Sequence, residues 1–402
     1  MNDEPIVALE IGTSKVCAMV GEAHRDDRIM ITGMGSCESF GVRKCVIMDL
    51  GEVGKRVTKA IQAAEDSANI EIGKAGLVIS GGHIQSVVNR GNAAVADPDR
   101  GISEEDVQGV MRIAKAVALS QDRAIMHTIN QKFYVDGHGG VANPRGMKGN
   151  VLAVDTLVLH GLANRMSNSV KVAQNVGVEV VDVAFGGLCS ALATLSREQK
   201  ECGVLQIDLG GGATSYMAYA DSAIALAGSF AVGGDHVTND IANGLSLSIN
   251  RAETLKKESG SAVVDPATQD RTVTVPEEVG FHRNTVTLHD LNTIIHARME
   301  ELLELIRAEL ESRNLLHSIG AGVVLTGGGA RLKGLPDLAE RVFGMPCSVG
   351  RPRNISGAAA MYEGPEYAAL VGMIRYAAWS AQRPARRGSL GGILEALFGR
   401  LY

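Results

Sequence analysis

Gly203-Val204-Leu205-Gln206-Ile207-Asp208-Leu209-Gly210-Gly211-Gly212-Ala213-Thr214-Ser215-Tyr216-Met217-Ala218 reads as a strand, an acid, a glycine turn and a returning strand. The first run is mostly apolar, as a buried strand requires, and it delivers the Asp208 carboxylate to the strand end. Three successive glycines then let the backbone turn and come close to a ligand that any side chain would hold off. Backbone N–H groups freed by such a turn form a concavity for an oxygen-rich anion such as a phosphate. A carboxylate beside it complements a divalent cation, for Mg2+ usually through water. The acid therefore answers to the metal and the glycines to the phosphate.

Ile6-Val7-Ala8-Leu9-Glu10-Ile11-Gly12-Thr13-Ser14-Lys15-Val16 repeats the arrangement near the N-terminus: strand, acid, one residue, glycine, small polar residues, strand. Two such hairpins far apart in the chain predict two similar lobes. A third glycine turn, Val323-Val324-Leu325-Thr326-Gly327-Gly328-Gly329-Ala330-Arg331, follows a buried strand and precedes a helical stretch, where a flat base can lie against the backbone. Neither GxxxxGK[ST] nor GxGxxG is present, so the two commonest phosphate loops are excluded. The order of the three turns resembles the phosphate 1, phosphate 2 and adenosine motifs of the superfamily of actin, sugar kinases and heat-shock chaperone ATPases. That resemblance implies an α/β fold of two duplicated, ribonuclease-H-like lobes that hold ATP and Mg2+ between them.

At 402 residues the chain exceeds the usual span of one core, which agrees with two lobes or more. A formal net charge of −6 offers no basic face for nucleic acid. The six cysteines, at positions 17, 37, 45, 189, 202 and 347, show neither CxxC pairing nor histidines at metal spacing, and read as reduced thiols of a cytosolic chain. Met1-Asn2-Asp3-Glu4-Pro5 is acidic and leads straight into a strand, unlike a signal peptide. No apolar run approaches the ~18 residues that a spanning helix needs.

Between the first hairpin and the central stretch, a third strand over 29–36 and a helix over 50–68 complete the first lobe up to Gly81-Gly82. The chain beyond Gly82 reads as an inserted module: strands at 87–88 and 93–95, a helix capped by Ser103 with first-turn acids, a strand over 124–136, a glycine-rich loop and a returning strand over 151–160. His127 and His160 lie in apolar strands and read as satisfied core groups. A helix over 164–176 and a strand over 178–183 lead to Phe185-Gly186-Gly187-Leu188, the expected start of a hinge helix. Glu253 and Lys256, three apart on a helix, point to one side and either reach a ribose or form an exposed ion pair. A long helix over 290–310 carries an apolar side, with Arg298 elsewhere on its surface. Short elements occupy 336–342 and 347–349, then a closing helix 367–378, and the single tryptophan, Trp379, is expected to pack.

The last stretch differs in character. Ala381-Gln382-Arg383-Pro384-Ala385-Arg386-Arg387-Gly388 is a short basic linker, and beyond it Leu390, Ile393, Leu394, Leu397, Phe398 and Leu401 form one apolar stripe at helical spacing. A stripe placed after a closed domain and a basic linker reads as a helix lying in the plane of an anionic membrane.

With that tail, the chain resembles the bacterial FtsA family of cell division proteins over essentially its whole length. The pieces that carry the resemblance are Ala8-Leu9-Glu10-Ile11-Gly12-Thr13-Ser14-Lys15-Val16, Gly41-Val42-Arg43-Lys44, the segment 127–136 and the third glycine turn. The resemblance implies subdomain 1A over 1–82, an inserted SHS2-like subdomain 1C over 83–163, and the rest of lobe 1 with its hinge helix over 164–200. Subdomain 2A would follow over 201–240 and 317–365, with 2B over 241–316. A closing helix of lobe 1 over 366–380, a linker over 381–388 and an amphipathic membrane-targeting helix over 389–402 would complete the chain. It also implies filaments of the protein itself on the cytoplasmic face of the inner membrane at the division septum. Such filaments would anchor the ring of the tubulin-like FtsZ through the FtsZ C-terminal tail and recruit later division proteins.

Carried over by position, Gly12, Thr13, Ser14 and Lys15 would meet phosphate in the first loop, and Gly210, Gly211 and Gly212 in the second. Asp208, with Glu10 opposite, would hold magnesium. Glu253 and Lys256 would flank the ribose, and Gly327, Gly328 and Gly329 the adenine. Arg298 would belong to the FtsZ-tail site. Three residues depart from the family pattern: Ala213 and Ser215 stand where many relatives have threonine and aspartate, and Cys45 replaces a common glycine. Ala184-Phe185-Gly186-Gly187-Leu188 offers no side chain to orient a water, so turnover is expected to be slow or absent. A metabolic kinase or a chaperone on this fold lacks a candidate base or a substrate domain here. The alternative is an actin-fold scaffold like PilM of type IV pilus assembly, which shares the inserted module; the amphipathic tail favours FtsA.

Overall fold

The computed structural model describes residues 4–24, 27–276, 285–358 and 362–381. The amphipathic stripe, Leu390 to Leu401, and most of the basic linker lie outside these residues. Two sheets of one plan form the two lobes. In the first, the order across the sheet is Ile29–Glu38, Lys15–Ala23, Ile6–Ile11, Lys74–Ile79, Glu179–Phe185; in the second it is Ala223–Phe230, Thr214–Ala220, Val204–Leu209, Val323–Thr326, Cys347–Val349. Each sheet has three antiparallel strands followed by two parallel to the first. The repeat reaches the turns. Ile11 pairs with Val16 and Leu209 with Thr214, and each loop closes with a 3.0 Å hydrogen bond, Gly12 N–H to the Lys15 carbonyl and Gly210 N–H to that of Ala213.

The sequence explains the cores. In the helix Leu50–Ala68, Val53, Val57, Ala60, Ile61 and Ala64 recur on one face and are buried, while Asp49 caps the start by accepting from the Glu52 N–H. Leu291, Ile295, Met299, Leu302, Ile306 and Leu310 do the same for Leu288–Ser312 in the second lobe. Between the lobes, Gly186–Thr194 crosses Ala368–Ala381 so closely that a Cβ at Gly372 would lie 1.7 Å from the Cys189 carbonyl oxygen.

Three elements differ from expectation, the first being His138–Val141, a strand within the expected glycine-rich loop. The strand pieces at 87–88 and 93–95 are one strand, Gln85–Ala94: the polar residues between them continue it, Asn89 donating to the Ala114 carbonyl at 2.9 Å, and Gly91 admits the helix Glu104–Lys115, whose Val110 carbonyl oxygen would lie 2.5 Å from a Cβ there. Ile355–Gly357, too short to show in the sequence, returns the chain to the first sheet beside Ile29–Glu38.

The inserted sheet, ordered Gln85–Ala94, Val151–Leu162, Arg123–Val135, His138–Val141, also reaches the second lobe. The Ser86 hydroxyl donates to the Ala227 carbonyl and accepts from the Ala227 N–H, the Gln131 amide donates to the Ile224 carbonyl, and Lys132 pairs with Asp221 at 2.6 Å. Trp379, expected to pack, is 52 % exposed beside Tyr376 on the last described helix.

Candidate nucleotide site

The twin hairpins meet tip to tip. A Cβ at Gly212 would come within 2.3 Å of Thr13 Oγ1, and one at Gly211 within 3.2 Å of the Ser14 Cβ, so only glycines allow the loops this approach. Behind them a cleft of about 660 Å3 opens between the lobes. It brings together Gly12 to Lys15, Gly210 to Gly212, Gly327 to Gly329, Glu253, Lys256, Glu10 and Asp208. Arg298 is not part of it. Its guanidinium binds both carboxylate oxygens of Asp240 and also pairs with Glu301, on the helical side of the second lobe.

The strand ends place Glu10 and Asp208 on the floor of the cleft. Burial pushes the Glu10 carboxyl up to about 7, with the nearby Lys15 charge opposing and Asp208 adding to the rise. Asp208 is raised to about 6 by burial, against the Ser190 hydroxyl that donates to it and the charge of Lys15. Two carboxyls held back from ionising in one cleft are a place for a cation. A hydrated Mg2+ suits such a pair, because this ion keeps several of its waters and needs only one or two carboxylates from the protein. Lys15 is anchored within the cleft: its ammonium donates to the Glu366 carbonyl at 3.1 Å and lies 4.2 Å over the Tyr367 ring.

Along another wall of the cleft, Glu253 and Lys256 are an ion pair at 2.6 Å, yet neither is fully exposed, with side-chain exposures of 32 % and 13 %. Lys256 also donates to the Gly234 carbonyl at 2.9 Å and to Thr238 at 2.7 Å. Burial would raise the Glu253 carboxyl, but Lys256, Thr238 and Lys257 together bring it down to about 2. The end of the cleft beside the third glycine turn is walled by Met299 and Leu302 from the long helix and by Gly328, whose missing side chain would meet only the Glu366 Cβ at 4.0 Å.

Several cleft residues escape sequence reading. Ser190, buried behind the cleft, reaches Asp208 through the helix Gly186–Thr194, and Tyr367, which lines the cleft, comes from the far end of the chain. Asp235 did leave a signal, an acid after a glycine pair at a helix start; its N–H binds the Gly211 carbonyl at 2.9 Å. The Cys45 departure gains a physical reading: Lys44 and Cys45 have φ of 51° and 58°, in the left-handed region where glycine is cheapest. Cys45 meets the first loop through both backbone and side chain: its N–H donates to Thr13 Oγ1 at 2.9 Å, and its Sγ accepts from that hydroxyl at 3.5 Å. Ser215 is buried against Ser229. His127 and His160 are structural: His127 accepts the Phe185 N–H at 3.0 Å and is held down to about 4 by burial, and His160 accepts from Arg123.

Duplicated lobes with acid–glycine hairpins facing across a cleft, and a third glycine turn at its side, define an actin-like fold. The chain is 34 % identical to the cell division protein FtsA of Borreliella burgdorferi, over 94 % of this chain and 91 % of that one. It is 33 % identical to FtsA of Pseudomonas aeruginosa over 92 % and 88 %, and 32 % identical to FtsA of Bacillus subtilis over 96 % and 86 %. It belongs to the FtsA family of cell division proteins. The family descriptions "Cell division protein FtsA" and "SHS2 domain inserted in FTSA" match residues 205–372 and 81–160. Similar solved structures include a PilM-PilN type IV pilus biogenesis complex, with a TM-score of 0.64 at 14 % identity over 94 % of this chain and 99 % of that one. Another is MreB 5 of Spiroplasma citri bound to AMPPNP, at 0.55 and 14 % over 95 % and 98 %. At such identities these two share the fold alone, so the PilM reading is not favoured.

Proposed function

We propose that this chain binds ATP with Mg2+ in the cleft and polymerises at the cytoplasmic face of the inner membrane, at the septum. There it anchors the FtsZ ring through the FtsZ C-terminal tail, near Arg298, and recruits later division proteins. The observation that supports the nucleotide reading is the pair of half-buried carboxyls, Glu10 and Asp208, lining one cleft from the two duplicated hairpins. The AMPPNP-bound MreB 5, which shares the fold, supports it.

Each part of the site would act through its own chemistry. The two glycine loops would present N–H groups to phosphate, and Lys15 would leave the Glu366 carbonyl to neutralise charge. Asp208 and Glu10 would hold hydrated magnesium, whose contribution when bound is to offset the triphosphate charge. Glu253, kept ionised by its lysines, would accept from ribose hydroxyls, and Gly327 to Gly329 would carry the adenine. Asp208→Ala should lower ATP affinity at least tenfold, about 1.4 kcal/mol, because triphosphate charge in the cleft then lacks its cation. Calorimetry giving the wild-type affinity would rule the assignment out.

The membrane anchor is assigned to Leu390, Ile393, Leu394, Leu397, Phe398 and Leu401. Each contributes at most ~1.5–3 kcal/mol if fully buried, and partial immersion and helix ordering consume much of that. A single tail therefore binds anionic lipid reversibly, and a polymer of tails binds it firmly. Deletion of 389–402, or Leu394→Glu, should abolish co-sedimentation with anionic liposomes and leave circular dichroism of the folded body unchanged, whereas Glu395→Gln should do neither.

A further inference from the structure

We propose that Trp379 is a second membrane contact, on the folded body itself: the C-terminal end of the helix Ala368–Ala381 faces the anionic lipid surface, and the indole sits at the headgroup level. This rests on the membrane reading of the tail. The first half of that helix is buried, from Ala368 to Ile374, whereas Trp379 is 52 % exposed. A tryptophan has a large apolar body and one polar N–H, the combination that prefers the membrane–water boundary to either phase.

Place and charge name the occupant. Trp379 lies four residues before Arg383, with Arg386 and Arg387 beyond it, so anionic headgroups that attract the arginines draw this helix end toward them. The seven residues from 382 to 388 span at most ~25 Å when extended, by the ~3.3–3.6 Å per residue of a stretched chain. Once the apolar stripe is in the interface, the end of the helix is confined near it at high effective concentration, where even a weak contact forms. Tyr376, with its ring centroid 6.4 Å from that of Trp379 and 5.5 Å from that of His127, ties the indole to the base of the inserted module. A lipid contact at Trp379 therefore sets the orientation of the body on the membrane, which the tail alone leaves free.

Trp379 is the only tryptophan in the chain, so its emission reports on this site alone. The full-length protein is mixed with vesicles of phosphatidylcholine and phosphatidylglycerol, and with the same vesicles brominated on the acyl chains. The expected result is a blue shift on binding and quenching by the bromolipid, both lost with the tail-deleted chain. Trp379→Ala should weaken co-sedimentation several-fold, on the order of tenfold at most. Co-sedimentation with neither shift nor quenching overturns this inference and leaves the tail anchor standing. Absence of co-sedimentation overturns both. A blue shift that grows with protein concentration without vesicles assigns the surface to a second copy of the chain and overturns the lipid contact.

Discussion

At the scale of single residues, the cleft is governed by Glu10 and Asp208. Their carboxyls are raised from 4.5 to about 7 and from 3.8 to about 6, so in the folded state without ligand both hold their protons only below about pH 6. The stability they contribute is therefore full at acid pH, below the unfolded values, and is lost as pH rises through about 6 to 7. A bound cation removes that loss. Mg2+ with nucleotide should accordingly raise the melting temperature more at pH 8 than at pH 5, by a few degrees in a chain of this size. Glu10→Gln should flatten the difference. Equal Mg2+ stabilisation at both pH values, read by scanning calorimetry, would contradict the arrangement. Both acids are legible as strand-end residues before glycine, because hairpin and acid lie within a few residues of each other. Ser190 is not: it reaches Asp208 across eighteen positions by way of the helix Gly186–Thr194.

Among elements, the inserted module does more than decorate the first lobe. Its Ser86 hydroxyl satisfies both backbone groups of Ala227, on the edge strand of the second lobe that runs on toward Gly233 and Gly234 at the cleft. Ser86→Ala leaves a backbone donor and acceptor without their partner, and should cost about 1–3 kcal/mol. An unchanged midpoint in denaturant unfolding would show that the contact carries no weight. The module is visible in the sequence from its alternating strands and capped helix. Its docking on the second lobe is not, since Ser86, Gln131 and Lys132 look like ordinary polar residues of exposed strands. The fusion of two expected strand pieces into Gln85–Ala94 has the same origin: Gly91 breaks the local pattern, and only the helix packed against it shows why.

For the whole molecule, turnover of the ATP proposed for the cleft depends on which side chains the lobes place beside the two glycine loops. The start of the helix Gly186–Thr194 presents no side chain at Gly186 and Gly187, and its Ser190 donates to Asp208. The Gln131 amide donates to the Ile224 carbonyl in the insert contact. Multiple-turnover ATP hydrolysis should accordingly stay below roughly 1 per second, the lower end of the usual kinase range. A phosphate-release assay exceeding that would mean that another group orients the attacking water.

Fold class, the duplicated hairpins with their acids and glycines, the inserted module and the helical faces are all written along the chain. They are short-range patterns, set by the period of a strand or helix and by the conformations glycine alone permits. Folding adds what distance along the chain conceals. It brings Thr13 against Gly212, places Lys15 on Glu366 and Tyr367, and pairs Arg298 with Asp240. It exposes Trp379 and presses Gly372 onto Cys189. These contacts arise only when distant segments close on each other, because complementarity between surfaces far apart in the chain leaves no periodic trace in either.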